Sequence, residues 1–284
     1  MSFDVSHPEV LNMIRCALAE DIGSGDVTSN LVIDEDQSAT GTFVAREPMV
    51  LAGVELLEPI YTERGGVDKL TIIHRSGAPI EEDFQIARVR GRARTLLECE
   101  RVALNFMQRL SGIATLASEF SAAMKGTRCQ ILDTRKTAPG LRRLEKMAAA
   151  AGGAINHRVG LFDAILIKSN HVTAAGGIAA ALERASKTEM PVEIEVRTLQ
   201  ELEDALTHGA KHLLLDNVMP EEAAEWIRVV NGRATVELSG GITPHSARAY
   251  AQAGADFISA GAMTHSAPAM DINFRFDWQP NHGA

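Results

Sequence analysis

The second half of the chain contains six short apolar runs, and they constrain the fold more than any other feature. The runs are CQIL (129–132), AILIK (164–168), VEIEV (192–196), HLLLD (212–216), ATVEL (234–238) and DFIS (256–259). The last four begin 20–22 residues apart, which is the length of one strand–helix unit. Strands with continuous apolar sequence are buried on both faces, as in a parallel sheet. The pattern favours an α/β barrel over an open doubly wound sheet, because no GxGxxG motif follows the first run.

The first part of the chain shows a different mixture of short strands and helices. Ser6 and Glu9 have the spacing of a capping box, and an apolar stripe from Val10 to Leu18 predicts the first helix. The segments that follow predict a loop (20–29), strands (40–46, 70–75 and 84–93) and a helix (54–63). Two amphipathic helical stretches come next, 95–110 and 113–125, on either side of Ser111–Gly112. The mixture predicts an α+β unit with helices on one side of a sheet.

The composition excludes several classes of function. The net charge is −9, and so acidic a chain lacks the basic face typical of proteins that bind nucleic acids or anionic membranes. The three cysteines are far apart and form no CxxC pair, which disfavours a disulfide framework or a zinc site. The N-terminus lacks the features of a signal peptide, and no apolar run reaches the roughly 18 residues that span a bilayer. We therefore expect a soluble cytoplasmic protein with no nucleic-acid or membrane partner.

Positive charge is concentrated between residues 128 and 171 of this acidic chain. The segment has eight Lys and Arg against three Asp and Glu, a net of +5 that leaves −14 for the remainder. Cations at strand ends and in loops indicate a carboxylate or phosphate ligand, because a parallel barrel builds its active site there. The candidate ligands of this anion are Arg135, Lys136, His157, Arg158 and Lys168. A second group of cations fits a solvated helix face at least as well as a ligand site: Arg142, Arg143 and Lys146.

The loops after the last two apolar runs are rich in glycine. Barrels most often bind phosphate in these loops, through backbone N–H groups and a helix N-terminus. The candidate phosphate-binding residues are Ser239, Gly240, Gly241, Ser259, Ala260 and Gly261. Glu195 and Asp216 end neighbouring runs and should face the same cavity, suited to hold Mg²⁺, to bind sugar hydroxyls or to neutralise a nearby cation. Together these residues predict a site for a phosphorylated sugar.

In combination and order, eight segments of the chain closely resemble the quinolinate phosphoribosyltransferase family. The segments are EDIGSGDVTS (20–29), ERVALNFMQRLSGIAT (100–115), DTRKTAPGLR (133–142), GGAINHRVGLFDAILIKSNH (152–171), EIEV (193–196), LLLDN (213–217), ELSGGI (237–242) and SAGAMTHSAPAMDI (259–272). In that family the residue after the lysine of the IK pair is typically acidic, whereas Ser169 stands here. Because serine is uncharged, the family's acidic side chain at this position has no counterpart here, whereas the role of Lys168 is unaffected.

The resemblance implies a fold, an assembly and a reaction. The fold is an incomplete α/β barrel (113–270) with an N-terminal α/β sandwich domain (1–112) that residues 271–284 complete. The assembly is a homodimer, either by itself or as part of a higher oligomer, with active sites at the subunit interface. The reaction joins quinolinate to phosphoribosyl pyrophosphate with Mg²⁺, and releases pyrophosphate and CO₂ to form nicotinate mononucleotide in NAD biosynthesis.

The resemblance also assigns roles to the candidate residues. Quinolinate would be surrounded by Arg135, His157, Arg158 and Lys168, and Thr134 would also bind substrate. Arg101 would reach this site from the partner subunit, although by itself it has the pattern of surface charge on a helix. The phosphorylated sugar and pyrophosphate would meet Lys136 and Lys168, and the two glycine loops would hold the 5′-phosphate. Glu195 and Asp216 would hold ribose hydroxyls or Mg²⁺, so that the catalytic residues are Lys136, Lys168, Glu195 and Asp216.

Three other functions compete with this interpretation. A related phosphoribosyltransferase would act on nicotinate or another ring, but the cations suited to a dicarboxylate favour quinolinate. A Schiff-base aldolase would use Lys168, whose amine would have to be activated by its cationic neighbours. The aldolase would leave Arg135, Arg158 and the two carboxylates without a role. A phosphosugar-binding module without activity is the third alternative, and it is disfavoured because no residue predicted for the catalytic site is missing.

Overall fold

Two units make up the structure, a computed structural model that describes residues 4–278. The first unit comprises the residues up to Leu116, Ala138–Gly153 and those from Ala267 on, and the second comprises Ala117–Thr137 and Ala154–Ser266. The domain boundaries given above stay a prediction, and residues 279–284 of the expected tail lie outside the described residues.

The elements are numbered in chain order. Up to the long central helix they are α1 (Pro8–Ile22), α2 (Val27–Val32), β1 (Ser38–Ala45), β2 (Met49–Val50), α3 (Leu57–Thr62), β3 (Lys69–Ile72), β4 (Pro79–Ile80), β5 (Gln85–Arg92) and α4 (Ala93–Ala123). Beyond it they are β6 (Gln130–Leu132), α5 (Arg142–Ala151), β7 (Ile165–Ile167), α6 (Ser169–Ala175), α7 (Ile178–Ala185), β8 (Val192–Val196), α8 (Leu199–Thr207), β9 (His212–Asp216), α9 (Pro220–Val230), β10 (Thr235–Ser239), α10 (Pro244–Gln252), β11 (Phe257–Ser259), α11 (Ala262–His265) and β12 (Ile272–Asp277). Within residues 4–278, none of the helices combines the length and the hydropathy needed to cross a membrane.

The first unit is built on an antiparallel sheet with the strand order β12-β1-β5-β3. Side chains alternate between buried and exposed along β5, as expected of strands with one face on the core. On that core, the rings of Phe43 and Phe274 lie 4.7 Å apart, which ties the last strand to the first. The predicted strands in this part of the chain are confirmed, and so is the helix predicted at 54–63, which forms as a 3-10 turn (Val54–Leu56) followed by α3.

The predicted start of the first helix is wrong. His7 caps α1, with its Nδ1 accepting the backbone N–H of Glu9 at 3.2 Å, while the Ser6 hydroxyl donates to Asp4 instead. The reason is Pro8, whose fixed φ and missing N–H suit the first helical position. The loop predicted at 20–29 is also shorter than expected, because Asp26 caps the additional helix α2.

The two predicted helices around Ser111–Gly112 are in fact one helix, α4. The Ser111 hydroxyl is buried and hydrogen-bonds the backbone N–H of Ala52 at 3.0 Å. A Cβ on Gly112 would lie 1.8 Å from the carbonyl oxygen of Pro268. The small residues therefore mark close packing of the helix within the first unit, where the sequence had indicated a break.

The second unit is built on six parallel strands, and all six predicted strands are confirmed. Their order is β6-β11-β10-β9-β8-β7, with each neighbouring pair parallel. In place of a pairing between β6 and β7, Leu132 forms a single parallel bridge to Ile155. The barrel is therefore incomplete on this side, and the predicted fold class is confirmed.

Candidate active site

A cavity of about 830 Å³ lies where the carboxyl ends of the six parallel strands converge. In the strand register, Ser239 is level with Asp216 on one side and Ser259 on the other, which brings the residues after each strand to one rim. The cavity is lined by these residues predicted from the sequence: Thr134, Arg135, Lys136, His157, Arg158, Lys168, Glu195, Asp216, Ser239, Gly240, Gly241, Ser259, Ala260 and Gly261. Arg101 is the exception, since it is exposed on α4 in the first unit.

One side of the cavity pairs carboxylates with cations. The Lys168 Nζ lies 3.2 Å from one oxygen of Glu195, and the Arg197 guanidinium lies 3.0 Å from the other. The backbone N–H of Ser169 points to the same carboxylate at 3.4 Å, so this position contributes through its backbone. Burial disfavours the charged form of Glu195, but these cations and the N–H outweigh it and hold the pKa of Glu195 below its ordinary value. Glu195 therefore acts as an anion across the neutral pH range.

A second side of the cavity carries two guanidinium groups, those of Arg135 and Arg158, close to each other. Burial and the charge of Arg135 together lower the pKa of Arg158. Within the part of the chain that the structure describes, the buried Nε of Arg135 has no hydrogen-bond partner. A buried donor without an acceptor is costly, and so is the repulsion between like charges. An anionic ligand with several oxygens would relieve both costs.

Two carboxylates beside His157, one partly and one fully buried, were not predicted from the sequence. The His157 Nε2 lies 3.1 Å from Glu193 on β8 and 3.5 Å from Glu237 on β10. Burial and the neighbouring Glu237 raise the pKa of Glu193. A charged residue in the middle of an apolar run is the signal that could have found both, because the side chains of a barrel strand alternate between the interior and the helices.

Asp133 and Asn156 are further contributors that sequence reasoning missed. The Asp133 side chain is fully buried at the end of β6, where it accepts the backbone N–H of His157 at 2.9 Å and the side-chain amide of Asn156 at 2.6 Å. The His157 Nδ1 in turn accepts the backbone N–H of Arg158 at 2.8 Å. These bonds fix the segment that stands in for a barrel strand beside β6. The neutral imidazole of His157 therefore contacts the protein through both ring nitrogens, whereas the protonated ring keeps its contacts with Glu193 and Glu237.

We expect the protein to become less stable as the pH rises above neutrality, because His157 loses its second proton. Burial alone lowers the pKa of His157, but Glu193 and Glu237 outweigh it and raise the pKa to about 9. When the ring is protonated, its Nδ1 can no longer accept the backbone N–H of Arg158. The loss of this neutral hydrogen bond costs less free energy than the attraction of the imidazolium to two carboxylates gains. A folded-state pKa above the unfolded value of about 6.5 stabilises the fold fully below pH about 6.5, and this effect is lost as the pH rises through about 9.

Urea unfolding of wild-type and His157→Gln proteins at several pH values checks this expectation. The stability difference between the two should shrink by a few kcal/mol, on the order of 3, between pH about 6 and pH about 10. A difference that stays constant over this range would show that His157 does not carry the charge.

The second group of cations does not reach the cavity. The Arg143 Nε pairs with Glu9 at 2.7 Å within the first unit, and the Lys146 side chain is fully buried there. The neighbouring Glu145 is also fully buried and accepts two hydrogen bonds from Arg109. Lys146 therefore belongs neither to a solvated helix face nor to a ligand site, because α5 packs this charged face into the core of the first unit.

The glycine loops differ in what their glycines protect. Gly240 has a φ of 112°, and a Cβ there would lie 2.8 Å from the Cα of Asn217. A Cβ on Gly261 would lie 2.6 Å from the Cδ of Lys136, which is a flexible side chain. Gly240 is therefore required by the backbone conformation of its loop, whereas Gly261 leaves room for the side chain of Lys136.

We expect Gly240→Ala and Gly261→Ala to fail in different ways. Gly240→Ala should lower the free energy of unfolding by about 2 kcal/mol, because both the φ and the clash with Asn217 are backbone costs. Gly261→Ala should keep its stability but bind pyrophosphate more weakly, because Lys136 has to move. Urea unfolding and pyrophosphate titration separate the two effects, and equal loss of stability in both variants would contradict this distinction.

The carboxylates at the cavity are compatible with a magnesium ion held mainly by its ligand. Glu195 and Asp216 end adjacent strands, and Arg197 lies within 4.0 Å of both. Among the described residues, the one group of three or more potential ligand side chains is His157, Glu193 and Glu237, a different cluster. Mg²⁺ in enzymes that bind phosphates commonly takes one or two protein carboxylates and completes its shell with water and phosphate oxygens. Two carboxylates therefore fit this ion.

Comparison with known proteins identifies the family. The family described as quinolinate phosphoribosyl transferase matches with its N-terminal domain over residues 26–111 and with its C-terminal domain over residues 113–275. The nicotinate-nucleotide pyrophosphorylase (carboxylating) of Mycobacterium leprae is 39% identical over 280 residues, covering 96% of this chain and 99% of that protein. The chloroplastic enzyme of the same name from Oryza sativa is 39% identical, covering 96% of this chain and 79% of that protein.

A solved structure agrees with these sequence relatives. The nicotinate-nucleotide pyrophosphorylase from Francisella tularensis superimposes with a TM-score of 0.88 at 36% identity, covering 95% of this chain and 98% of that one. Both domains, the order of the strands and the residues at the cavity thus lead to one conclusion. This chain belongs to the quinolinate phosphoribosyltransferase family.

Proposed function

We propose that the protein transfers the phosphoribosyl group of phosphoribosyl pyrophosphate to quinolinate and releases CO₂, forming nicotinate mononucleotide for NAD biosynthesis. The observation that carries the proposal is one cavity that is lined both by a pair of guanidinium groups and by a pair of carboxylates. Arg135 and Arg158 line the cationic side, and Glu195 and Asp216 the carboxylate side. The proposal matches the names of the relatives described above.

The cationic side suits a substrate with two adjacent carboxylates. Quinolinate carries two such groups on neighbouring ring carbons, and their mutual repulsion has to be offset by several cations. The unpartnered Nε of Arg135 and the fork of Arg158 offer donors in the planar geometry that carboxylates accept. His157 adds positive charge beside this side, since Glu193 and Glu237 raise its pKa to about 9.

The carboxylate side suits the sugar and its leaving group. Glu195 and Asp216 would accept hydrogen bonds from ribose hydroxyls and hold Mg²⁺ together with the pyrophosphate. Bound there, Mg²⁺ would supply positive charge to the departing pyrophosphate. The loops at Ser239–Gly241 and Ser259–Gly261 offer backbone N–H groups to the 5′-phosphate. Lys136 and Lys168 add charge that favours the pyrophosphate as it leaves.

The mechanism follows from these positions in two steps. The bond between the anomeric carbon and pyrophosphate breaks with the electron pair on oxygen, and the pyridine nitrogen adds to the resulting oxocarbenium ion. The bond to the carboxylate next to that nitrogen then breaks, CO₂ leaves, and the electron pair stays on the ring carbon beside N⁺. That carbanion takes up a proton to give the product. The protein contributes position and preorganised charge, and no side chain acts as a nucleophile.

The proposal includes a homodimer in which Arg101 of one subunit completes the site of the other. Arg101 is exposed and lies outside the residues that line the cavity within its own chain. Leu161 and Phe162, in the loop after Arg158, each leave about three quarters of their surface exposed, which is the kind of apolar patch that a partner covers. The proposal also includes a cytoplasmic location, which the three free cysteines support.

The test is to supply quinolinate, phosphoribosyl pyrophosphate and Mg²⁺ and to measure CO₂ together with nicotinate mononucleotide. Both products should form in equal amounts, and removal of Mg²⁺ should stop the reaction. Turnover of nicotinate but not quinolinate would contradict the proposal in favour of a related transferase. A borohydride-trapped adduct on Lys168 would support the aldolase instead, although Lys168 is ion-paired with Glu195.

A further inference from the structure

Arg197 stands between the two carboxylates that the proposed reaction needs. Its Nη2 lies 3.0 Å from Glu195 and its Nε lies 4.0 Å from Asp216. The sequence did not single it out, because it follows β8 at the point where α8 begins. It lines the cavity together with both carboxylates.

The backbone of Arg197 is anchored, whereas its side chain is free to move. The backbone N–H donates to the carboxylate of Glu201 at 2.7 Å, and the next residue, Thr198, caps α8. In contrast, 53% of the side-chain surface is exposed, compared with 4% for the Glu195 side chain that it contacts. A guanidinium on a long exposed stem can leave one partner for another without disturbing the strand that carries it.

A guanidinium at this position competes with a divalent cation. Glu195 already receives Lys168, the Ser169 N–H and Arg197, so its charge is neutralised before any ion arrives. A second cation entering between Glu195 and Asp216 would be repelled by Arg197 at a distance of a few ångströms. The repulsion would be relieved if Arg197 moved to an anion that arrives with the metal, and guanidinium groups bind phosphate oxygens bidentately.

We propose that Arg197 occupies the position of a cation between Glu195 and Asp216 in the substrate-free protein. When Mg²⁺ enters together with the pyrophosphate group, the guanidinium leaves the carboxylates and binds that group. The inference rests on the proposed function, since it takes pyrophosphate as the arriving anion. It makes metal binding conditional on substrate. Free Mg²⁺ should bind weakly, because Glu195 and Asp216 are already neutralised by Arg197. Mg²⁺ that arrives with pyrophosphate should bind more tightly, because the phosphate oxygens bind Arg197 and release the two carboxylates.

The test compares wild-type protein with Arg197→Gln, using Mn²⁺ as a spectroscopic probe and inorganic pyrophosphate as the anion. Without pyrophosphate, Arg197→Gln should bind Mn²⁺ about tenfold more tightly, because one nearby positive charge is removed. With Mg²⁺ present, the same variant should bind pyrophosphate about tenfold more weakly, because one charge-assisted contact is lost. Arg197→Lys should restore the wild-type Mn²⁺ affinity, since it keeps the charge.

Lys211→Gln is the matched control. It removes one positive charge from the second unit at a separate cavity, which Lys211 lines together with Arg128 and Arg233. The control should leave both affinities unchanged, so that a general effect of net charge is recognised. Unchanged Mn²⁺ affinity in Arg197→Gln, or unchanged pyrophosphate affinity, would overturn the proposal. The Mn²⁺ measurement requires no turnover, so it stands even if quinolinate proves not to be the substrate.

Discussion

Lys168→Ala is expected to lower kcat/KM by about 10²–10³, the effect of removing one preorganised charge from a site that stabilises a departing anion. Lys168 is the residue that belongs to both halves of the cavity. It forms an ion pair with Glu195 at 3.2 Å and lines the same space as Arg135 and Arg158. In the proposed reaction, its loss would remove positive charge near both the pyrophosphate and the dicarboxylate. Steady-state kinetics with each substrate varied in turn measure the effect.

The structure indicates that Lys168→Ala will fold. About half of the Lys168 side-chain surface is exposed, and its backbone N–H is held by the Nδ1 of His171 at 2.9 Å whatever side chain it carries. The melting temperature should therefore remain within a few degrees of the wild-type value. Retention of more than about a tenth of the activity in a folded variant would remove Lys168 from the catalytic residues.

Mixing Arg101→Ala with Lys168→Ala is expected to restore activity that neither variant has by itself. If Arg101 serves the partner's site, each variant is nearly inactive, because every site lacks either Arg101 or Lys168. After subunit exchange, half of the dimers are heterodimers, and each of these has one intact site. The mixture should therefore reach about a quarter of the wild-type activity. The measurement is CO₂ release before and after the two proteins are dissociated and reassociated together.

A second mixture provides the control. Lys168 and Glu195 contact each other within one chain, so a heterodimer of Lys168→Ala and Glu195→Ala has no intact site. That mixture should stay inactive under the same conditions. If the Arg101 mixture also stays inactive although heterodimers form, Arg101 does not act across an interface.

Much of the cavity could be predicted from order along the chain. Parallel strands place their carboxyl ends at one rim, so residues such as Arg135 and Asp216 were expected to meet without any knowledge of distances. The prediction did not extend to the strand interiors. Glu193 and Glu237 lie within apolar runs, and their meeting with His157 depends on which face of each strand points into the barrel.

Local patterns failed where packing decided the outcome. Ser111–Gly112 has the composition of a helix break, but the small residues serve a close approach to Ala52 and Pro268, which lie far away in sequence. Lys146 lies in a charged segment that resembles a solvated face, but it is fully buried in the first unit. Neither contact is encoded within a window of neighbouring residues.

By itself, the sequence determined the fold class, the family and most of the residues at the cavity. It could do so because strand length, spacing and strand-end chemistry are local properties, and parallel strands convert their order into proximity. Only the tertiary structure decided that His157 meets Glu193 and Glu237 and that Arg197 stands between Glu195 and Asp216. Those arrangements depend on side chains from separate strands meeting at distances of 3–4 Å, and electrostatic interactions vary most steeply over that range.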